Sequence, residues 1–349
     1  MINSDWQNFL NDSGAHLDER GVRDFEGSTC SDDAENKLFD LSDIGVVKIS
    51  GEDAPGFLQG QFSNDVSKLD GSNSQLSSYC TPKGRILACF RLFRDGDNFY
   101  MLIPSETLPA TQKRLQMFVL MSKVTISDIS SDVVRMGTFG QQLANRLSEQ
   151  FGQLPNAENG FCSVNGVQVL RLAGNEPRLF VIGEPAKLRP IWESANDGIT
   201  RCGYPGWDLL DIRAGTPSVL TETVEAFVPQ MINLHAIDGV SFSKGCYPGQ
   251  EIVARMHYLG KLKRRMYRAE IETSNIPKPG TPLVSAHSDS GQGAGQVVSS
   301  AQTSADSCEI LAVVQVSAFE AGDLRLENDT GPVLNFLDIP YEVPLEREK

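Results

Sequence analysis

Residues 244–251 read Lys-Gly-Cys-Tyr-Pro-Gly-Gln-Glu, and this octapeptide decides how the fold of the whole chain is interpreted. Gly245 and Gly249 allow backbone conformations and close approaches that a side chain forbids. Pro248 indicates a tight turn. Cys246 is therefore expected on a presented loop, where the lysine that opens the octapeptide can favour its thiolate. A buried, inert cysteine is the ordinary alternative, and the residues alone leave both interpretations open.

Two other roles for Cys246 are disfavoured by spacing. A closed zinc site requires four nitrogen or sulphur ligands in paired spacing, and the nearest such residue downstream is His257, with no second cysteine close by. We therefore expect no metal. A cysteine–histidine catalytic pair with His235 or His257 is formally possible, but either histidine is more often a surface or packed residue.

The formal net charge of −14 is unevenly distributed along the 349 residues. Residues 1–40 carry ten acidic and three basic side chains, whereas residues 244–268 carry seven basic and one acidic. An acidic chain is not expected to bind nucleic acid diffusely, because affinity for phosphate comes mainly from Lys and Arg. The segment 255–268 is the exception, and it predicts either a weak contact with RNA or a strand edge protected by charge. Its central cluster is Lys261, Lys263, Arg264 and Arg265.

Seven cysteines are spread from Cys30 to Cys308 without a Cys-x-x-Cys pair. This pattern predicts reduced thiols in the cytoplasm rather than a disulfide framework. No apolar run approaches the ~20 residues that span a bilayer. The N-terminal residues lack the cationic start and apolar stretch of a secretory signal. We therefore expect a cytoplasmic protein without a membrane partner.

The hydrophobic pattern divides the chain into three kinds of segment. The acidic first forty residues have weak periodicity and predict a loosely held lead-in, with one short helix near Trp6 to Leu10. Strand-like runs then alternate with helices, one of which carries Leu143, Leu147 and Phe151 at positions i, i+4 and i+8. After Arg268 only short strand-like runs and turns follow, which is typical of a small barrel or sandwich.

Two further motifs resemble sites for flat heterocycles. Trp207 offers an aromatic face on which such a ring can stack, although most tryptophans lie in a core. Residues Gly291–Gly295 resemble a dinucleotide-binding loop, but the third glycine is missing at the required spacing and no helix follows. A hairpin loop is therefore expected there.

The octapeptide matches the pattern KGCYxGQE, which identifies the chain as resembling the YgfZ family of folate-binding proteins. The resemblance extends over about residue 38 to the C-terminus. It includes ISGEDAPGFLQGQFSNDV at 49–66, YCTPKGRILACFRLFRDGD at 79–97, IRAGTP at 212–217 and the approach FVPQMINLHAIDGVSFS at 227–243. The family is similar to the T-protein, the aminomethyltransferase of the glycine cleavage system.

This resemblance implies an α+β fold of the T-protein type, in which ferredoxin-like α+β units surround a central folate pocket and a small β-barrel follows. The implied division of the chain is a partly disordered acidic lead-in, a folate-binding α+β domain in two segments, a second α+β domain and a C-terminal β-barrel. The corresponding bounds are 1–40, 41–130 with 200–262, 131–199 and 266–349.

The resemblance also implies a function and a set of site residues. The expected function is that of a folate-binding accessory protein, with tetrahydrofolate as ligand, which supports the assembly or repair of iron–sulphur enzymes, including those that methylthiolate tRNA. The functional thiol carries over to Cys246. The residues expected to bind folate are Trp207, Lys244, Gly245, Tyr247, Gly249, Gln250 and Glu251.

Two departures from the relatives qualify these expectations. Ile44 stands where some members have a second folate-contacting tryptophan. Arg213 stands where many have glutamate, and a guanidinium has no acceptor for the donors of a pterin ring. We therefore expect pterin binding either to use another acidic residue, Glu222 or Asp211, or to be weaker.

The alternative function is that of a true folate-dependent aminomethyltransferase. The catalytic aspartate of the T-protein falls in the strand equivalent to residues 86–90, where this chain has Ala88 and Cys89. Neither side chain can replace a carboxylate, so glycine-cleavage chemistry is disfavoured. A third possibility is a binding module that docks RNA or a partner protein through the basic segment 255–268.

Overall fold

The computed structural model describes residues 2–28, 30–31, 33–195, 198–260, 262–288 and 293–343. Its helices are α1 (Ser4–Asp12), α2 (Ala54–Gln59), α3 (Leu108–Val119), α4 (Gln141–Phe151), α5 (Pro185–Glu193), α6 (Tyr204–Arg213), α7 (Gln250–Leu259) and α8 (Val316–Ala321). Its strands are β1 (Ala15–Leu17), β2 (Val22–Phe25), β3 (Lys37–Asp40), β4 (Ile44–Ser50), β5 (Ser74–Cys80), β6 (Ile86–Asp95), β7 (Asn98–Pro104), β8 (Thr125–Asp128), β9 (Val134–Phe139), β10 (Phe161–Val164), β11 (Val167–Arg171), β12 (Arg178–Gly183), β13 (Thr200–Cys202), β14 (Arg264–Glu272), β15 (Pro282–Val284), β16 (Gly295–Ser304), β17 (Ser307–Gln315), β18 (Arg325–Leu326) and β19 (Asn335–Leu337).

The chain divides into two compact units, each of which is described by itself. Unit 1 consists of Met1–Leu58, Val66–Gln75 and Phe90–Trp207. Unit 2 consists of Gln59–Asp65, Leu76–Cys89 and Asp208–Lys349. The finer domain bounds expected from the sequence stay predictions.

Unit 1 is built on antiparallel pairing around an apolar core. Its six-stranded sheet has the order β10-β11-β12-β9-β3-β13, in which only the β13–β3 pair is parallel. Strands β7, β4 and β8 lie together in a second sheet of order β5-β6-β7-β4-β8. The predicted helix with apolar residues at i, i+4 and i+8 is confirmed as α4, because Leu143, Leu147 and Phe151 are all buried.

The first forty residues are not a loosely held lead-in over their described part, and that expectation is wrong. They form α1, β1, β2 and β3. Trp6 is 2% exposed, its ring contacts Trp192 edge-on at 5.5 Å between centroids, and its Nε1 donates to Asp40 Oδ2 at 2.8 Å. Most of the described acidic residues of this segment are exposed, although Asp40 is buried, and this acidic surface is why composition alone suggested disorder.

Replacing Trp6 by alanine is therefore expected to lower the free energy of unfolding by about 3–5 kcal/mol, the usual loss for a buried tryptophan. Urea denaturation followed by far-UV circular dichroism measures this change. Met121→Ala is the matched control, because Met121 is 98% exposed and should change stability little. A loss below about 1 kcal/mol in Trp6→Ala would show that α1 contributes nothing to the core.

The expectation that all seven cysteines are reduced thiols is also corrected. Cys30 and Cys202 form a disulfide in unit 1 across a sequence separation of 172. The remaining described cysteines are free, and of these Cys246 is the exposed one. A pairing over such a separation carries no signal in local spacing.

Unit 2 contains the β-rich C-terminal half-barrel that the sequence predicts. Its six strands have the order β18-β15-β16-β17-β14-β19, and each described pair of neighbours is antiparallel. Strand β14 includes Arg264 and Arg265 of the basic cluster. It pairs with β17 over Arg264–Glu272 but with β19 only at residues 268–270, so Arg264 and Arg265 have one described neighbouring strand and the charged sheet edge stays a prediction there. Met266 is buried in one apolar cluster of unit 2, and Ala269 and Ile271 are buried in another, so β14 carries buried apolar residues on both faces.

Two remaining expectations concern the glycine-rich loop and the membrane. Residues 291 and 292 of the predicted hairpin loop Gly291–Gly295 lie outside the described residues. Within the described ranges, no helix has both the length and the apolar character that crossing a bilayer requires.

Candidate functional site

The octapeptide forms a loop in unit 2 in which some residues are buried and others are exposed to solvent. Lys244 is 8% exposed and Tyr247 is 7% exposed. Gly245 and Cys246 are exposed on the other side. The loop therefore has two buried anchors and presents the thiol between them. Of the two interpretations of Cys246 that the sequence left open, the structure excludes the buried one.

Lys244 holds a second loop rather than the thiol. Its Nζ donates to three backbone carbonyls, those of Gln59 at 2.7 Å, Phe62 at 2.5 Å and Asn64 at 2.9 Å. Three acceptors match the three N–H donors of an ammonium group. Burial lowers the pKa of Lys244 to about 8, and Asp65 opposes that shift. With these three acceptors engaged, Lys244 has no N–H donor left for a hydrogen bond to the Cys246 sulphur.

The loop at residues 59–65 is itself fixed from another side. The Asn64 amide donates to the carbonyls of Leu76 at 2.8 Å and Asp238 at 2.6 Å. Ser63 Oγ donates to the carbonyl of Gly239 at 3.1 Å. Since Lys244 and Asn64 act on the same short loop, residues 59–65 and the octapeptide form one hydrogen-bonded body.

Gly249 fits against a tight turn at residues 81–84. Its φ is +84°, and a Cβ at this position would lie 2.5 Å from the carbonyl oxygen of Thr81 and 2.7 Å from the Cα of Gly84. Gly84 has a φ of +71°, and a Cβ there would lie 3.1 Å from the Cβ of Ile252. Both glycines are therefore required by a close backbone approach.

Tyr247 is the second buried anchor. Its ring faces the Lys244 Nζ at 5.2 Å from the centroid. Burial raises the pKa of Tyr247, with Cys80 adding to the effect. Its hydroxyl is buried without a hydrogen-bond partner in the structure. Such an atom is costly unless a ligand satisfies it.

Six more side chains in the described part of unit 2 carry a buried polar atom in the same condition. Three of these atoms are amide oxygens, namely Gln61 Oε1, Gln230 Oε1 and Asn233 Oδ1, and the others are His235 Nδ1, Arg265 Nε and Ser299 Oγ. The amide nitrogens of Gln230 and Asn233 are engaged, since they donate to the carbonyls of Val253 at 2.6 Å and Met266 at 2.9 Å. The three amide oxygens can only accept hydrogen bonds.

The two histidines considered as partners for Cys246 lie elsewhere in unit 2. His257 stacks on Phe242 with 3.7 Å between ring centroids. Burial lowers the pKa of His235 to about 4, with His257 and Arg265 adding to the shift. No hydrogen bond joins the described atoms of Cys246 to either ring, so the structure does not assemble the cysteine–histidine pair. The described residues also contain no group of three or more His, Cys, Asp or Glu side chains that could hold a metal.

The last two residues of the octapeptide begin α7. Gln250 is half-buried, and its side-chain amide donates to the carbonyl of Lys244 at 3.4 Å, which closes the loop on itself. Glu251 is exposed in the first turn of the helix. A carboxylate at this end of a helix is favourably placed relative to the helix dipole.

Trp207 belongs to unit 1, and its indole is 4% exposed there. The Arg178 guanidinium lies 4.0 Å over its ring, and Phe39 and Phe180 contact it edge-on. A Cβ on Gly137 would lie 2.5 Å from the indole. A heterocycle could stack on this ring only if the Arg178 side chain moved away.

The structure shows the environment of each residue at which the chain departs from the relatives. Arg213 donates to Glu309 Oε1 at 2.8 Å, so its guanidinium is committed to an ion pair in unit 2. Glu222 is exposed, Asp211 is half-buried, and Ile44 is the first residue of β4. Ala88 and Cys89 on β6 are 0% and 4% exposed, and neither carries a carboxylate.

Sequence reasoning missed the partners of the octapeptide. The loop 59–65 and the turn 81–84 both fall inside segments that the resemblance had picked out, but nothing in their spacing pointed to Lys244 or Gly249. The available signal was a cluster of small and polar residues directly after α2, and a Pro-Lys-Gly turn before β6.

The comparisons with known proteins agree with the fold described above. No protein-family model matches the chain. The chain is 30% identical over 315 residues to the tRNA-modifying protein YgfZ of Colwellia psychrerythraea, a match that covers 89% of this chain and 95% of that protein. It is 29% identical over 306 residues to the tRNA-modifying protein YgfZ of Pectobacterium carotovorum, which covers 88% and 92%.

Among solved structures, the fold is similar to that of the glycine cleavage system aminomethyltransferase T from Bartonella henselae. The TM-score is 0.73 at 16% sequence identity, and the match covers 95% of both chains. At this identity the likeness establishes the fold and leaves the chemistry to the residues. The predicted T-protein-like α+β fold is therefore confirmed.

Proposed function

The chain belongs to the YgfZ family of tRNA-modifying proteins, and from this premise we propose that it is a folate-binding accessory protein that supports iron–sulphur enzymes. The proposed clients, which it helps to assemble or repair, include the enzymes that methylthiolate tRNA. The proposed setting is the cytoplasm. The observation that carries the proposal is the loop in which Lys244 and Tyr247 are buried and Cys246 is presented to solvent.

Some residues of the octapeptide hold the loop and another presents a thiol, and this arrangement supports a role in which Cys246 acts on a partner. Two buried side chains and one glycine with a forced conformation hold the loop, and none of their contacts involves the Cys246 sulphur. An exposed thiol adds nothing to core packing. We therefore take the role of the buried anchors and of the constrained glycine to be fixing the position of Cys246.

The unsatisfied atoms of unit 2 fit a reduced folate. A tetrahydropterin ring carries several N–H donors, and the three orphaned amide oxygens of Gln61, Gln230 and Asn233 are acceptors. The Tyr247 hydroxyl can donate or accept. These atoms are proposed to contact tetrahydrofolate, and this role for the three amides replaces the earlier expectation for Glu222 or Asp211.

The family residues remain the proposed folate-binding set, with roles adjusted to their surroundings. Lys244 and Gly249 are proposed to act by holding the loop, because their own contacts are to the protein. Gly245, Gln250 and Glu251 lie on its accessible side or at the start of α7. Trp207 is proposed to contact folate after its neighbour Arg178 moves.

The aminomethyltransferase alternative is not supported by the site. The described residues of β6 place two buried apolar side chains, Ala88 and Cys89, where that reaction needs a carboxylate. The proposal is accordingly an accessory role without glycine-cleavage turnover.

Tyr247→Phe tests the folate proposal, because it removes one unsatisfied hydroxyl and no protein hydrogen bond. Isothermal titration calorimetry with tetrahydrofolate under anaerobic conditions should show binding by the unaltered protein. The variant should unfold at an equal or slightly higher denaturant concentration, and it should bind about 3- to 10-fold more weakly, the effect of one hydrogen bond. Absence of any binding by the unaltered protein would sink the folate proposal. Equal affinity of the two proteins would remove Tyr247 from the site.

A further inference from the structure

We propose that the exposed end of α7 binds an unpaired stretch of RNA. The α7 platform is the set of Phe242, Arg255, His257, Tyr258 and Lys263 in unit 2. The choice of tRNA as the natural source of that RNA rests on the proposed function, whereas the platform itself is argued from its rings and charges. It shares no residue with the set of unsatisfied atoms proposed to contact folate.

The first observation is a layered aromatic cluster that ends in solvent. Phe242 packs partly against the core of unit 2. The His257 ring stacks on it at 3.7 Å with an interplanar angle of 13°. The Tyr258 ring contacts His257 edge-on at 4.8 Å and 77°, and 65% of Tyr258 is exposed. The cluster is thus held rigidly from below while its outermost ring remains accessible.

The second observation is positive charge beside the rings. Arg255 is exposed and precedes Tyr258 by three positions on α7, so the two side chains are neighbours on one helix face. Lys263 is exposed just after the helix. Residues 244–268 carry seven basic and one acidic side chain in a chain of net charge −14. The single carboxylate, Glu251, lies at the opposite end of α7.

Rings and charges together select the ligand. Proteins bind single-stranded nucleic acid through aromatic side chains on which bases stack and cations that meet the phosphates. A base pair inside an A-form helix offers no free face for such stacking, which favours an unpaired loop over a duplex. An acidic protein segment would satisfy the cations but would leave the exposed Tyr258 ring without a flat partner.

The platform and the Cys246 loop are the two ends of one short helix. Gln250 starts α7 directly after the octapeptide. At a rise of about 1.5 Å per residue, Tyr258 lies about 12 Å further along the axis. RNA held on the platform would therefore lie within reach of a client enzyme that engages the exposed thiol.

Fluorescence anisotropy with a labelled hairpin RNA that has an unpaired loop tests this inference. The unaltered protein should bind the hairpin more tightly than a fully paired duplex of the same length. Tyr258→Ala should weaken hairpin binding by about tenfold, the loss of one base–aromatic stack, and Tyr258→Phe should preserve it. Arg255→Ala should weaken binding and lower the slope of log affinity against log salt by about 1.

Matched controls come from unit 1. Phe118 is an exposed aromatic residue and Lys113 an exposed cation, so Phe118→Ala and Lys113→Ala should leave hairpin binding unchanged. Tetrahydrofolate binding should be unchanged in Tyr258→Ala, which separates this proposal from the folate proposal. Equal binding of hairpin and duplex, or unchanged affinity in Tyr258→Ala, would overturn the inference. If the unaltered protein bound no RNA but Tyr258→Ala still lost cellular tRNA methylthiolation, the inference would also be overturned. The platform would then be assigned to a protein partner.

Discussion

Glu309→Ala is expected to destabilise unit 2 by about 3–5 kcal/mol, because it leaves two arginines without their common partner. Glu309 is buried, and its two oxygens accept from different residues: Oε1 from Arg213 at 2.8 Å and Oε2 from Arg268 at 2.7 Å. The Arg268 side chain is 19% exposed and that of Arg213 is 31% exposed. Removal of the carboxylate therefore strands positive charge that water reaches only in part.

Guanidinium denaturation followed by near-UV circular dichroism measures this loss. Glu251→Ala is the control for removing an exposed glutamate from the same unit, and we expect it to change stability by less than about 0.5 kcal/mol. The triple change Arg213→Met, Glu309→Leu and Arg268→Met should recover most of the stability, since apolar replacement of a whole buried ionic group is often neutral. If Glu309→Ala cost no more than Glu251→Ala, the ion pairs would contribute nothing.

Gly249→Ala is expected to destabilise the protein by about 2–5 kcal/mol, the sum of backbone strain at positive φ and of overpacking against fixed backbone. The new Cβ would lie 2.5 Å from the Thr81 carbonyl oxygen and 2.8 Å from the Gly84 nitrogen. Those atoms belong to a turn closed by the Gly84 N–H donating to the Thr81 carbonyl at 2.9 Å. Neither can retreat without opening that turn.

The octapeptide supplies its own control for this substitution. A Cβ on Gly245 would meet no atom within 4 Å, so Gly245→Ala should leave the melting temperature almost unchanged. Differential scanning calorimetry of the two variants compares them directly. Equal melting temperatures would show that the close approach of Gly249 to the turn is not required.

Patterns confined to one element were predictable from the sequence. Helix α4 followed from three apolar residues on one face. Strand β14 was missed because five of its nine residues are charged, which interrupts the apolar pattern on both faces. The short helix near Trp6 to Leu10 was predicted and is α1, but its packing against the core was missed because the ring that contacts Trp6 is Trp192, far along the chain.

The candidate site was only partly predictable for the same physical reason. The octapeptide could be recognised, and the turn at Pro248 and Gly249 followed from residue types. Lys244 turns inward because its three carbonyl acceptors lie in a loop that is 185, 182 and 180 positions earlier in the chain. The Cys30–Cys202 disulfide is a contact of the same long-range kind. No local pattern encodes such partners.

The most direct test of the central claim is the level of methylthiolated tRNA in a bacterial strain whose own family member is deleted. The strain carries either this protein, its Cys246→Ala variant or Cys162→Ala, which removes a half-buried thiol of unit 1 as a control. Because the Cys246 side chain is exposed, its variant should match the parent protein in melting temperature and in tetrahydrofolate binding. We expect the parent and Cys162→Ala to restore methylthiolation and Cys246→Ala to leave it at the level of the deletion strain. Full restoration by Cys246→Ala would contradict the claim that the loop exists to present this thiol.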